Sequence, residues 1–600
     1  HTGKNRRMEI GMNITKINHN WKFWEITNSF ALNWDPPKEA VLVDLPHDAM
    51  IETPQDPDAK AGANTGYRKG GVYSYSKTLR ADDPEKAYIL RIEGAYMNAF
   101  VYVNGQLAGK RPFGYSVFFV FLNDYLNFGE DNEIRIQVRA GAEPNSRWYP
   151  GNGLYRDVYL LESSVPFIRP DNVMIKTISI PGNAAGQTPA DNPDNALIEV
   201  SSMIAVKEPD EYSLEITITD PWGDVAGTRS VRVSEYAYTD ESASSYLPDA
   251  FVFLPVTAQV SIPSPCLWDV DTPYLYQCSL TLKDVTGKPL DTHADSFGIR
   301  VLDLSPEEGL KVNGQPVKLR GACIHHDRGI LGAKTYEEVH IRQIRKLKEA
   351  GFNAIRCAHN PAAPALLRAC DKVGMYVMDE AFDVWTRHKS DYDYGMYFDE
   401  WWEADVQAMA KDAYNHPCVL MYSIGNEIPE IGTKQGGEIT REICEVIRSL
   451  DDTRYTLASV NGIFSVGDKL GKIVEDVAKD LTAQGKSDGN VNDFMAFMHT
   501  YMNDMTTHSI VDEVISVPFQ YTDIAGYNYM GHRYDIEHAL HPERVIVGSE
   551  SGIGDIAADW ASIQKHPYVI GDFCWTGWEY LGEAGIGMPN YSNGSNPFGN

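Results

Sequence analysis

The sequence predicts a multidomain chain in which a jelly-roll β-sandwich and an immunoglobulin-like β-sandwich precede a C-terminal (β/α)8 TIM barrel. Two observations predict this fold class. The 600 residues, 43% of them hydrophobic, exceed what a single hydrophobic core usually organises. The hydrophobic pattern also changes along the chain, from short alternating runs to strands that alternate with helices. We therefore divide the chain into residues 8–168, 169–301 and 302–600.

The first region has the pattern of an antiparallel sandwich. Short runs such as GVYSYSKTLR, KAYILRIEGAY and NEIRIQVRA are separated by Gly, Asn, Asp and Pro residues, which favour turns. In VYVNGQLAG the pair Asn104 and Gly105 lies between two such runs, and this pair is a strong signal for a two-residue hairpin turn. The aromatic residues of this region are expected in its core.

The second region predicts a smaller sandwich. The polar stretch SIPGNAAGQTPADNPDNA predicts a long surface loop. The runs ALIEVSSMIAV, SLEITITD, AQVSIP and YQCSLTL that follow are spaced like the strands of an immunoglobulin-like domain. None of them carries a cluster of chemically reactive residues, so a packing domain is predicted.

Eight strands in alternation with helices are predicted in the third region. Its helical patterns include YEEVHIRQIRKLKEA and FDEWWEADVQAMAKDAYN. The strands are predicted at 319–325, 352–358, 374–380, 418–424, 454–460, 523–529, 544–549 and 569–576. This alternation is typical of a (β/α)8 barrel, in which the active site lies at the C-terminal ends of the strands. Because the sequence ends soon after strand eight, we expect a truncated barrel or a longer parent protein.

Composition excludes several classes of partner. The net charge of -30 repels nucleic acid and acidic membrane surfaces, so neither is expected as a partner. No run approaches the roughly 18 apolar residues of a membrane helix, and HTGKNRRMEIGMN lacks the apolar core of a signal peptide. A cytoplasmic protein is therefore expected. The eight cysteines show no C-x-x-C spacing and are predicted to be reduced and buried.

Two glutamates follow predicted barrel strands. Glu427 ends strand four in MYSIGNE, and Glu550 ends strand seven in VIVGSE. Each alone could be a salt-bridge partner or a helix cap. Together they match the pair that cleaves a glycosidic bond, in which one carboxylic acid protonates the leaving oxygen and one carboxylate attacks the anomeric carbon. We expect the two carboxyl groups to face each other across the barrel mouth, about 5 Å apart.

A metal site is the alternative at the same rim. Its ligand candidates are His325, His326, Asp327, Asp379 and Glu380, but they show no established ligand spacing, so no metal is predicted. Serine chemistry is disfavoured because no G-x-S-x-G motif is present.

The motifs RGACIHHDRGILGA, GFNAIRCAHNP, GMYVMDEAFDVW, NHPCVLMYSIGNE and VIVGSE, preceded by SRWYPGNGLYRDVYL, closely resemble glycoside hydrolase family 2 over nearly the whole chain. The resemblance implies a retaining exo-β-glycosidase with a sugar-binding-like first sandwich. It makes Glu427 the general acid/base and Glu550 the nucleophile that forms a covalent glycosyl-enzyme. A carbohydrate-binding protein without catalysis is the alternative from another class.

Five further residues match family positions that contact the sugar or the nucleophile. The resemblance implies that Asn426 binds the sugar 2-hydroxyl and that Tyr529 steadies the nucleophile. It implies that His325 and His359 bind hydroxyls and that Trp575 forms a stacking wall for the apolar sugar face. A role in the core or behind the site is the alternative for each of them.

The glycone is less clear from the motifs. Many β-galactosidases of the family carry an aspartate just after strand five, where this chain has Val460 and Asn461. β-Glucuronidases bind the substrate carboxylate with an Asn-x-Lys motif after strand eight, beyond the point where this sequence ends. We therefore expect a β-glucuronidase, with a β-galactosidase as the alternative.

The resemblance also bears on cofactors and partners. The chemistry requires no metal or organic cofactor, although some relatives bind a non-catalytic flavin mononucleotide (FMN), and no residue here identifies such a site. The connection 461–522 resembles insertions of gut-bacterial β-glucuronidases, and its Met and Phe spacing predicts a helix packed on the barrel, with a lid as the alternative. Small glycosides or oligosaccharides are the expected substrates, and the family implies a homo-oligomer.

Overall fold

A computed structural model describes residues 11–28, 30, 36–182, 193–240, 242–243, 245–483, 501–578 and 581. Over these residues the chain forms two pairs of antiparallel sheets, a small connecting sheet and a closed eight-stranded parallel barrel. The predicted fold class is therefore confirmed. No helix among these residues has the length and apolar character that spanning a membrane requires.

The first two sheets pack face to face as a sandwich. Their strands are β1 (Asn13–Lys16), β2 (Trp21–Glu25), β3 (Val41–Val43), β4 (Val72–Arg80), β5 (Lys86–Ile92), β6 (Ala99–Val103), β7 (Gln106–Arg111), β8 (Phe118–Phe121), β9 (Asp131–Arg139) and β10 (Val158–Ser164), with the short helix α1 (Ala49–Glu52). One sheet has the order β1-β10-β5-β8 and the other β3-β2-β4-β9-β6-β7. The predicted hairpin joins β6 to β7, and both turn residues have the positive φ that this turn requires, 50° for Asn104 and 80° for Gly105.

A second sandwich follows. Its strands are β11 (Phe167–Ile168), β12 (Met174–Ser179), β13 (Asn195–Val206), β14 (Tyr212–Thr219), β15 (Val225–Arg232), β16 (Val252–Pro263), β17 (Tyr276–Asp284) and β18 (Pro289–Phe297). Alternate residues of β13, β14, β16 and β17 point into its apolar core, as the period of two predicts. Most of the predicted surface loop, residues 183–192, lies outside the described residues.

A small antiparallel sheet, absent from the sequence prediction, connects the second sandwich to the barrel. It consists of β19 (Leu302–Ser305), β20 (Gly309–Val312) and β21 (Gln315–Val317). Its strands are only three or four residues long, too short for a clear alternating pattern. The domain boundaries given above stay predictions.

The barrel closes in the order of its strands. These are β22 (Leu319–Ile324), β23 (Ala354–Cys357), β24 (Tyr376–Glu380), β25 (Val419–Asn426), β26 (Tyr455–Val460), β27 (Ile524–Asn528), β28 (Ile546–Gly552) and β29 (Val569–Trp578). The helices are α2 (Glu337–Glu349), α3 (Pro364–Val373), α4 (Phe398–Ala413), α5 (Lys434–Leu450), α6 (Gly462–Ser465), α7 (Leu470–Ala483), α8 (Met502–Thr506), α9 (Ser509–Phe519), α10 (Glu537–Leu540) and α11 (Ile556–Lys565). Every predicted strand range overlaps an observed strand.

Other predictions about the chain can be compared with the structure. All eight cysteines are free, and seven of them are buried, as predicted. Helices α7, α8 and α9 occupy part of the connection 461–522, whereas residues 484–500 lie outside the described part. Val511, Val514 and Ile515 of α9 are buried in the barrel core. Most of the Met and Phe residues on which the predicted packing helix depends lie in 484–500, so that helix stays a prediction.

Candidate active site

Glu427 and Glu550 lie at the C-terminal rim of the barrel. Glu427 directly follows β25, has a positive φ of 44°, and donates its backbone N–H to the carbonyl of Ser459 at 2.7 Å. Such a φ is uncommon for a residue other than glycine and indicates a side chain whose direction is imposed by its surroundings. Both glutamates are largely buried. The charge of Glu427 raises the pKa of Glu550, so the two carboxyl groups interact across the mouth.

Glu550 is held by a cation and a phenol. Arg356 donates from Nη1 to Oε2 at 2.7 Å, and Tyr529 donates its hydroxyl to Oε1 at 2.6 Å. Burial raises the pKa of Glu550 to about 7, and Glu427 adds to the rise, although Arg356 and Tyr529 act in the opposite direction. Close to neutral pH Glu550 is therefore divided between its protonated and ionised forms.

Arg356 connects Glu550, Glu380 and Asn426 because it donates hydrogen bonds to all three. It is fully buried on β23, donates from Nε and Nη2 to both oxygens of Glu380, and donates from Nη2 to the amide oxygen of Asn426 at 2.8 Å. Burial alone would raise the pKa of Glu380, but Arg356, His359 and Ser423 hold it at about 2. Glu380 is thus an ionised structural partner of Arg356.

The amide of Asn426 is oriented by three neighbours. Its Oδ1 accepts from Arg356 and from Nδ2 of Asn528 at 3.0 Å, and its Nδ2 donates to Asp383 at 3.0 Å. An amide nitrogen carries two hydrogens, and the described residues supply one acceptor. The second N–H can therefore serve a ligand in the barrel mouth.

Asp383 brings the first sandwich into the site. Arg147, on the loop between β9 and β10, binds it through Nε at 2.9 Å and Nη2 at 2.7 Å, and Lys389 binds it through Nζ at 2.9 Å. Lys389 also donates to the backbone carbonyl of Asn426 at 2.7 Å. Burial would raise the pKa of Asp383, but these two cations hold it well below the usual range.

Aromatic rings form one wall of the mouth. Trp575 stacks on His359 with ring centroids 5.3 Å apart and planes 5° from parallel, and Trp148 stacks on His325 at 5.5 Å. His359 contacts Glu380 through Nδ1 at 2.7 Å, and burial lowers its pKa to about 4, so its imidazole is neutral at physiological pH. Such a wall suits the apolar face of a sugar ring.

The structure places all seven predicted site residues at this rim: Glu427, Glu550, Asn426, His325, His359, Tyr529 and Trp575. Sequence reasoning missed Arg147, Trp148, Arg356, Asp383 and Lys389, and it considered Glu380 only as a metal ligand. One signal could have identified Arg356, namely an arginine inside the otherwise apolar strand AIRC. The others lie on loops, where no periodicity marks them.

Two of the candidate metal ligands, Asp379 and His326, have other hydrogen-bond partners. Asp379 accepts a hydrogen bond from the backbone N–H of Ala362 at 2.8 Å, and His326 contacts the carbonyl of Tyr149 at 3.1 Å. Within the described ranges, the one group of three ligand-type side chains close together is Asp512, Glu537 and His541, none of which is among these candidates. Arg533 donates to Asp512 and Glu537, and Arg544 donates to Glu537, so this group is an ion-pair network.

Comparisons with known proteins find similar family models and a similar solved structure. Residues 305–510 match the model described as glycosyl hydrolases family 2, TIM barrel domain, and residues 186–300 match a second model described as glycosyl hydrolases family 2. A solved structure of a family 2 member from Bacteroides cellulosilyticus is 30% identical with a TM-score of 0.77, and the alignment covers 96% of this chain and 69% of that one.

Two relatives carry names that describe activities. The chain is 31% identical to the β-galactosidase BoGH2A of Bacteroides ovatus over 93% of its own length, and it spans 61% of that protein. It is 26% identical to a β-glucuronidase of Bacteroides fragilis over 74% of its length, and it spans 60% of that protein.

Proposed function

The chain belongs to family 2 of the glycosyl hydrolases, and from this premise we propose that it is an exo-acting β-glycosidase that cleaves with retention of configuration. One observation carries the proposal. Glu427 and Glu550, on separate strands of one barrel, interact at its mouth, and Arg356 and Tyr529 bind Glu550. Retention requires one carboxyl group as acid and the other as nucleophile.

In the first step the proposed mechanism requires a proton on Glu427 and an ionised Glu550. Arg356 and Tyr529 favour this arrangement because both donate to Glu550. The Glu550 carboxylate bonds to the anomeric carbon while the bond to the glycosidic oxygen breaks, and that oxygen takes the proton from Glu427.

In the second step water replaces the nucleophile. Glu427, now ionised, takes a proton from water, whose oxygen bonds to the anomeric carbon as the bond to Glu550 breaks. The free acid of Glu427 and the carboxylate of Glu550 are restored, and the released sugar keeps its configuration. Proton transfer and carboxylate attack supply the whole reaction, so the proposal includes no cofactor.

The remaining groups bind the glycone. The second N–H of Asn426 is assigned to the sugar 2-hydroxyl, a contact that strengthens in the transition state. The wall of Trp575 and His359 is assigned to the apolar face of the ring, and His325 and His359 are assigned to its hydroxyls.

We propose a glucuronide as the preferred glycone. The position after strand five that carries an aspartate in many β-galactosidases of the family is occupied here by Val460 and Asn461, and the Asn461 amide binds Glu427 at 2.9 Å. A β-galactoside is the second candidate, favoured by the 31% identity to the β-galactosidase of Bacteroides ovatus.

A panel of p-nitrophenyl glycosides tests both the proposed glycosidase activity and the proposed glycone. We expect release from the β-glucuronide to exceed release from the β-galactoside, and no release from α-linked sugars. Release from the galactoside alone would reverse the order of the two glycones. Sugar binding by calorimetry without hydrolysis of any member of the panel would instead support a carbohydrate-binding protein.

A further inference from the structure

Asn461 makes contacts in two directions from the end of β26. Its backbone begins α6, and its Oδ1 accepts hydrogen bonds from the backbone N–H groups of Ile463 at 3.1 Å and Phe464 at 3.3 Å. Its Nδ2 donates to Oε1 of Glu427 at 2.9 Å. One side chain therefore caps a helix and binds the proposed acid/base.

The direction of this amide is fixed by its partners. The two backbone groups on the helix side are donors, so only the carbonyl oxygen of Asn461 can face them. Rotating the amide by 180° would place its nitrogen against these donors and its oxygen against the Glu427 carboxyl group. The nitrogen must therefore point at Oε1 of Glu427.

We propose that Asn461 is a positioning residue that reserves Oε2 of Glu427 for proton transfer. This inference rests on the proposed function. Because Nδ2 donates to Oε1, that oxygen is unsuited to carry the proton. In the part of the chain that the structure describes, Oε2 receives no hydrogen bond. The proton therefore leaves from Oε2 to the glycosidic oxygen as its bond to the anomeric carbon breaks, and it returns to Oε2 from water in the second step.

The charged groups around Glu427 set the expected pH response. Glu550 on β28 and Tyr529 after β27 interact electrostatically with Glu427, and Lys389 binds the carbonyl of the preceding Asn426. Asn461 is a neutral donor in this group. A carboxylate that loses a donor holds a proton to higher pH, so loss of Asn461 is expected to move the alkaline limb of activity upward.

Two substitutions separate the cap from the contact with Glu427. Asn461→Asp keeps an acceptor of the same shape for the helix but replaces the amide nitrogen with a carboxylate oxygen. Asn461→Ser also keeps a capping oxygen, but its side chain is too short to reach Glu427. Thermal melting of both variants reports whether the cap and the fold survive.

The kinetic test compares leaving groups of different acidity. For an aryl glycoside with a poor leaving group, which needs the proton, we expect kcat/KM to fall about tenfold or more in both variants, a part of the roughly 10²–10⁴-fold that general acid catalysis contributes. For the 2,4-dinitrophenyl glycoside, which needs no proton, we expect less than about a threefold change. The alkaline limb should move upward, further for Asp than for Ser.

The outcomes separate this inference from the proposed function. Equal losses for both leaving groups with an unmoved pH profile would overturn the positioning role, while an active parent enzyme would leave the glycosidase proposal standing. An inactive parent enzyme would reject the glycosidase proposal and this inference together.

Discussion

At the scale of single residues, the charge on two carboxyl groups decides what the site can do. Glu550 is buried next to Glu427, and like charges at close range disfavour double ionisation. Arg356 and Tyr529 offset part of this cost by donating to Glu550. These two donors therefore favour the ionised form of Glu550, which the first step requires.

The raised pKa of Glu550 predicts a pH dependence. Because burial and the neighbouring Glu427 raise this pKa to about 7, the nucleophile becomes protonated below that pH. We expect kcat/KM to fall by about tenfold per pH unit below this point, since the attacking carboxylate is then missing. The pH profile of nitrophenyl glycoside hydrolysis measures it. Glu427→Gln removes the neighbouring charge that raises the pKa of Glu550, so the acidic limb should move to lower pH for a 2,4-dinitrophenyl substrate, which needs no proton.

The two glutamates should also differ when each is removed. Glu550→Ala should abolish turnover of every substrate, because no nucleophile remains to form the glycosyl-enzyme. Glu427→Ala should lose roughly 10²–10⁴-fold on unactivated glycosides but still form the intermediate from the dinitrophenyl glycoside. Burst kinetics with that substrate measures the intermediate. Complete loss in both variants on this substrate would contradict the assigned roles.

At the scale of elements, strand ends explain which site residues the sequence could predict. The barrel strands are apolar runs with clear lengths, so Glu427 and Glu550 could be placed on the rim from the pattern alone. The strand pairing just before each glutamate is irregular, with register shifts between Ser423 and Asn426 and between Gly548 and Ser551. Such irregularities redirect side chains and leave no mark in hydrophobic periodicity.

Contacts between distant loops could not be predicted from the hydrophobic pattern of the sequence, for a different reason. Arg147 and Asp383 are 236 residues apart, and their pairing follows from the docking of a sandwich loop on the barrel. Sequence periodicity reports which face of an element is buried but not which loops meet. The SRWY motif therefore indicated a family resemblance without indicating that Arg147 reaches the site.

The contact of Arg147 with Asp383 allows a prediction about how the site binds the sugar 2-hydroxyl. Arg147→Met removes the bidentate partner of Asp383, which orients the Asn426 amide. We expect kcat/KM to fall roughly 10–100-fold on the parent glycoside, because misplacement by about 1 Å can cost that much. The matching 2-deoxy glycoside lacks the hydroxyl, so its rate should change little.

Arg139→Met is the matched control for that experiment. Arg139 lies in the same sandwich and donates to Gln137 and Tyr102 of its own domain. The Arg139→Met substitution should leave the rates on the parent glycoside and on the 2-deoxy glycoside unchanged. An equal loss on the parent and 2-deoxy substrates in Arg147→Met would show that Arg147 acts on something other than the 2-hydroxyl contact.

At the scale of the whole molecule, the sandwiches are joined to the barrel by buried polar contacts. Trp268 of the second sandwich is fully buried and donates its indole N–H to the carbonyl of Asp371 at 3.1 Å. Arg111 of the first sandwich pairs with Asp405 of α4 at 2.8 Å, and both side chains are buried. The domains therefore hold one another in place, including the loop that carries Arg147.

The Arg111–Asp405 pair predicts how strongly the domains depend on this interface. Asp405→Ala leaves Arg111 buried without its carboxylate, which should lower the free energy of unfolding by about 3–5 kcal/mol. Glu400→Ala is the control, because Glu400 pairs with Lys110 across the same two domains at 3.1 Å but is exposed. Its cost should be about 0–1 kcal/mol. Urea denaturation followed by tryptophan fluorescence measures the free energy of unfolding of both variants. Equal losses would mean that burial does not determine how much an ion pair at this interface contributes to stability.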